Sequence, residues 1–69
     1  MKKSRFEIGQ RVYVTHPDGG IDIGVVTVVD NTKVPRNGKP AILVRDDNNK
    51  KGYVKTKYIS EIKPKRNNK

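Results

Sequence analysis

A chain with a single histidine has few ways to assemble a nucleophile and a base. His16 would have to serve Ser4 or Ser60, the only two serines. Ser4 falls in a basic N-terminal segment and Ser60 in the last strand-like stretch. His16 itself is followed by Pro17, Asp18, Gly19 and Gly20, the composition of a solvated turn. Asp46 and Asp47, with Asn48 and Asn49, raise the question of a calcium loop. An EF-hand register starting at Asp47 puts Asn49 and Gly52 in suitable places, but Lys51 lands on a ligand position and Tyr58 replaces the closing glutamate. Neighbouring residues on a strand also face opposite ways, so these two carboxylates are expected to shape a turn. Gly19, Gly20 and Gly24 match neither phosphate-binding fingerprint, because no Gly-Lys-Ser/Thr and no following helix accompanies them. The chain is therefore expected to bind rather than to turn over a substrate, with no catalytic residue, cofactor, metal or small-molecule substrate.

What does rise above background is a basic and aromatic constellation. Arg11 and Tyr13 share the face of a first strand opposite Val12 and Val14, and Tyr53 and Lys55 share a face of a later strand opposite Val54. Tyr58 follows close behind. A tyrosine can stack on a base or cover an apolar patch of a protein, and a neighbouring Lys or Arg can pair with phosphate or carboxylate. The same tyrosines could instead cap the ends of the core with their hydroxyls in water, and the spacing leaves both readings open. Lys33, Arg36 and Lys39 lie among turn residues, and Lys50 and Lys51 crown a second reversal. If both basic loops projected from one side with the tails, the local field would be strongly positive. Lysines so placed also keep a small β-protein soluble and its edges unpaired.

The distribution of charge sharpens this picture. Of a net +9 over 69 residues, Lys2, Lys3 and Arg5 supply three charges before Phe6, and Lys63, Lys65, Arg66 and Lys69 supply four after Ile62. Residues 6–62 are nearly neutral, with nine Lys or Arg against seven Asp or Glu. The expected organisation is a basic tail over residues 1–5, one domain over 6–62 and a second basic tail over 63–69. Such a layout favours a polyanion or an acidic protein surface as partner. The absence of cysteine excludes a disulfide framework or a thiolate metal site and fits a reducing, cytoplasmic setting. No apolar run is long enough to span a membrane or to act as a secretion signal, so no membrane partner is expected.

The elements that must position these residues are all strands. Residues 11–15 alternate with period two, and a turn cluster follows at 16–20. Residues 21–29 form a long β-branched run expected to bend at Gly24 and to be covered in part on both faces. Two prolines, Asn37-Gly38 and three basic residues predict a surface loop over 31–40. A strand over 41–45, a polar reversal over 46–51 and a strand over 52–55 read as a hairpin. Residues 56–58 suit one 3₁₀ turn before a last strand over 59–62. Five short strands with turns at this spacing predict a small antiparallel barrel.

The string Ile8-Gly9-Gln10-Arg11-Val12-Tyr13-Val14, then Gly24-Val25-Val26, the strand over 41–45, and Gly52-Tyr53-Val54 followed by Tyr58-Ile59 resemble the SH3-like barrel superfamily. Within it, the first half resembles KOW-type modules of transcription elongation factors and ribosomal proteins. The Gly-Tyr-Val and Tyr-Ile ending resembles bacterial SH3 domains, and the overall layout is similar to the small SH3-like subunit of photosystem I. The resemblance implies an all-β, five-stranded SH3-like barrel with short flexible basic tails, acting as a monomer that binds nucleic acid within the transcription or translation apparatus. The alternative it leaves open is a protein-binding adaptor or small inhibitor, of phage origin for example, docked on an acidic face of a larger complex.

Overall fold

The computed structural model describes residues 2–62 and is all-β, as expected. Its strands are β1 (Arg11–Val14), β2 (Gly24–Arg36), β3 (Lys39–Arg45), β4 (Lys51–Lys55) and β5 (Ile59–Glu61), with a 3₁₀ turn η1 (Thr56–Tyr58) between the last two. They form one antiparallel sheet in the order β4-β3-β2-β1-β5. A five-stranded antiparallel sheet of this size is compatible with an SH3-like fold. The expected closure into a barrel is not made by hydrogen bonding: among the described residues the edge strands β4 and β5 share no ladder and are joined through η1.

Strand β2 is the spine of the molecule. Residues 24–27 pair with β1, and the chain preceding β1 continues along the same flank. Gly9 donates its amide to the Val28 carbonyl (2.8 Å), Val28 donates to Gln10 (2.9 Å), Ser4 donates to Asn31 (2.7 Å) and Lys33 donates to Lys2 (2.8 Å). Lys3 bridges Thr32 in antiparallel sense. The segment that reads in the sequence as an N-terminal tail thus runs beside β2 rather than standing free of it. The Asn31 side-chain amide also donates to the Phe6 carbonyl at 2.9 Å, and Phe6 is wholly buried.

The loop expected over 31–40 is instead the far end of a long hairpin. β2 continues to Arg36, Asn37 and Gly38 form a two-residue turn, and β3 starts at Lys39. Both turn residues have positive φ, 53° and 77°, the combination a type I′ hairpin turn requires. The two prolines that read as breakers face each other as the pair Pro35–Pro40. Next to the closing pair Arg36–Lys39, alternation makes this a non-hydrogen-bonded pair, so the missing amides cost no rung of the ladder.

Besides Gly24, whose φ of 147° is of the kind glycine favours, β2 is irregular further along. From Val28 to Arg36 there are eight steps on β2, against five from Val44 to Lys39 on β3. The surplus is absorbed by register shifts between Val28 and Asp30 and between Asp30 and Val34. Bulges of this kind bend a strand and increase its twist. They carry the outer part of β2 away from the core, which explains why its burial fades beyond Val28.

The core is one cluster: Phe6, Val12, Val14, Ile21, Val26, Val28, Ile42, Val44, Val54 and Ile59. Val26 and Val28 are buried within the monomer, whereas Ile23 and Val25, in the other phase, are exposed. Ile21 lies outside β2, in a tight turn where Asp18 and Ile21 exchange amide-to-carbonyl bonds of 3.0 and 2.9 Å. That turn drops Ile21 into the core and presses Gly19 against β4. A Cβ on Gly52 would run into the Gly19 carbonyl oxygen, and one on Gly19 into the Tyr53 carbonyl oxygen. Glycine at the head of Gly52-Tyr53-Val54 is therefore a requirement of backbone-to-backbone approach.

Gly52→Ala is expected to cost about 2 to 3 kcal/mol in urea denaturation, because two main chains must separate. A loss below about 1 kcal/mol would mean the turn over 18–21 does not rest on β4 as described.

Candidate functional site

The register places Arg11 opposite Thr27, Thr27 opposite Arg45 and Arg45 opposite Lys51. Cross-strand partners share a face, so these four residues form one row running across β1, β2, β3 and β4. The row lies on the outer face, opposite the buried Val12, Val26, Val44 and Val54. Beside it, Tyr13 stands opposite Val25 on β2 and Ser60 on β5. Tyr13 is 39% exposed and Val25 36%, an aromatic and aliphatic pair adjoining the Arg11 end of the row.

One carboxylate enters the row. The Arg11 guanidinium donates to Asp47 Oδ1 at 3.0 Å and Oδ2 at 3.5 Å, and to Thr27 Oγ1 at 3.1 Å. The hydrogen bonds to Arg11, reinforced by its charge and by that of Arg45, lower the Asp47 pKa, and the same contact raises that of Arg11. Both partners are mostly exposed, so the bridge adds little to stability. Among the described residues neither Arg45 nor Lys51 takes part in an ion pair. Asp46, by contrast, is spent on its turn: Oδ1 accepts the amides of Asn48 and Lys50, each at 2.9 Å.

The remaining residues that the sequence singles out separate into distinct places. Arg36 and Lys39 sit at the β2–β3 turn, with the Arg36 guanidinium 5.3 Å from the centre of the Tyr53 ring. That turn and the reversal bearing Lys50 and Lys51 flank opposite ends of β3, about 20 Å apart at strand spacing, so the two basic loops do not share a side. Lys2, Lys3 and Lys33 gather where the N-terminal segment lines β2. Arg5 reaches towards Glu61 at 3.9 Å and lies over Phe6. Lys63, Lys65 and Arg66 lie outside the described residues.

Lys55 and Tyr58 are engaged within the fold. The Lys55 amide donates to Asp18 Oδ2 at 2.9 Å and its ammonium to Oδ1 at 3.3 Å, with both side chains less than a fifth exposed. Tyr58 packs against the core, its ring 4.9 Å from that of His16, with Lys55 and Lys57 above it. The Tyr58 carbonyl accepts both the amide and the hydroxyl of Thr15. The sequence alone does not single out Arg45 and Val25, and it offers Asp47 only as a turn or calcium-loop carboxylate, although Arg45 stands in the phase opposite Ile42 and Val44. That phase puts it on the outer face, but only the register reveals its neighbours. No family model, curated protein or solved structure matches the chain.

Burial disfavours ionisation of Asp18, but the Lys55 amide and ammonium, with the Gly19 amide, outweigh it and hold the carboxyl below its ordinary value. A carboxyl whose pKa is depressed by folding contributes stability that is complete above its unfolded value of about 4 and is lost as pH falls through the folded value. Asp18→Asn is accordingly expected to cost about 1 to 3 kcal/mol at neutral pH and to flatten the loss of stability below about pH 4. Urea titrations of both proteins across that range check it, and parallel curves would remove Asp18 from the account.

Proposed function

We propose that the protein is a non-enzymatic nucleic-acid-binding module with an SH3-like architecture of the KOW type, acting as a cytoplasmic monomer in the transcription or translation apparatus. The supporting observation is the row Arg11, Thr27, Arg45 and Lys51, which aligns three cations across four strands, Arg11 bridged to Asp47 and next to an exposed tyrosine, Arg45 and Lys51 in no ion pair among the described residues. Three strand spacings of about 4.8 Å make this row about 14 Å long, enough to follow successive phosphates of a backbone. Arg and Lys along such a line neutralise phosphates and release counterions, which supplies affinity without reading sequence. A net charge of +9 adds long-range attraction to any polyanion.

Exposed Ile23, Val25 and Ile62, with Tyr13 opposite Val25, favour a second reading in which an amphipathic acidic protein covers this face. The two readings part on salt and on the identity of the partner. For nucleic acid, the logarithm of the binding constant for a mixed-sequence oligonucleotide falls linearly with the logarithm of salt. Arg45→Ala and Lys51→Ala should each reduce the slope by about 0.7 to 0.9. Fluorescence anisotropy between about 50 and 200 mM salt measures it. Failure of the intact protein to bind any nucleic acid at the low end rejects this function and leaves the protein partner.

A further inference from the structure

We infer that the outer sheet face takes a single strand rather than a duplex, laid across the β-strands along the row, with one base stacked on Tyr13. The inference rests on the nucleic-acid reading above and adds to it the form of the ligand, its direction and the side chain that meets a base. Three observations carry it.

The first is width. Five strands span four spacings of about 4.8 Å, roughly 19 Å, while the major groove of B-form DNA is about 12 Å wide. A helix or a two-stranded ribbon enters that groove, but a five-stranded face cannot. Bases of an intact duplex would remain out of reach, and only its outer phosphates would touch the protein.

The second is the state of the three tyrosine rings. Tyr53 lies beneath Arg36, and Tyr58 is packed against the core among His16, Lys55 and Lys57. Among the described residues Tyr13 is the tyrosine whose ring meets neither a cation nor another ring. It is exposed and adjoins aliphatic Val25, so an unpaired base gains a π-face and an apolar neighbour at once.

The third is registration. Tyr13 lies two residues from Arg11 on the same face of β1, about 7 Å along the strand, while Arg45 and Lys51 continue the row away from it. A backbone following the cations therefore passes Tyr13 at the β1 end and can turn one base onto it. Asp47, on Arg11 Nη1 at 3.0 Å, offsets the Arg11 charge, so the cations of the row outside an ion pair are Arg45 and Lys51. Tyr13, rather than a salt bridge to Arg11, is then the contact that fixes the ligand at this end.

The test compares the binding of the intact protein to a single-stranded oligonucleotide, to the duplex of the same sequence and to inorganic polyphosphate. The single strand is expected to bind more tightly than the duplex. Tyr13→Leu should weaken single-strand binding by roughly five- to hundred-fold, the worth of one stacked base, leave polyphosphate binding unchanged, and be rescued in Tyr13→Phe. Polyphosphate and nucleic acid binding that both depend on Arg45 and Lys51, with single strand and duplex bound alike, would uphold the wider function and overturn this inference. Tyr13→Leu binding the single strand as tightly as the parent would overturn it too. Capture of an acidic protein with no nucleic acid bound in any form would overturn both.

Discussion

The whole molecule is organised by the hydrogen bonding of one strand. β2 gives its two flanks to different parts of the chain, one to β3 and the other to residues 2–14, so every other element takes its position from it. A regularly paired 13-residue strand twists but does not bend sharply, and a sheet without a sharp bend could not wrap a core built from so few residues. The surplus residues between Val28 and Val34 resolve that conflict. They let the inner half, with Val26 and Val28, face the core while the outer half extends as a ribbon towards Asn37 and Gly38.

The electrostatic character of the outer face follows from the same pairing. Arg11, Arg45 and Lys51 are far apart in the chain and carry no local signal as a group. The antiparallel register of three successive ladders brings them level. A one-residue slip in any ladder would send one of them to the apolar side, where an unpaired cation is costly. Burial of the valines and alignment of the cations are thus two readings of one constraint.

Much of this is legible in the sequence, for definite reasons. Period-two alternation locates β1, the short turn over 56–58 lies where composition puts it, and the polar run over 46–51 does so except for Lys51, which opens β4. The hairpin end is hidden because Pro35 and Pro40 read as breakers, although Asn37-Gly38 between them is the strongest short turn signal a hairpin has. Prolines report the absence of a donor, and whether that donor is needed is settled only by the pairing. The basic N-terminus reads as a tail because its partners at 31–33 belong to a bulge, whose bonding is irregular and leaves no periodic trace. Of the candidate site, Arg11 and Tyr13 can be placed on an outward face from phase alone. Arg45 cannot be joined to them without knowing which residues stand side by side.

The turn over 18–21 has an effect beyond anchoring Ile21. By setting Asp18 against the Lys55 amide and Gly19 against Gly52 and Tyr53, it occupies the outer margin of β4 with main chain and a carboxylate. Exposed strand margins are where foreign chains add themselves and fibrils begin, and a protein rich in valine and isoleucine carries that risk more than most. Here the Lys55 amide is already taken by Asp18 and the stretch at Gly52 and Tyr53 is covered by the protein's own backbone, so an incoming strand meets an obstructed margin.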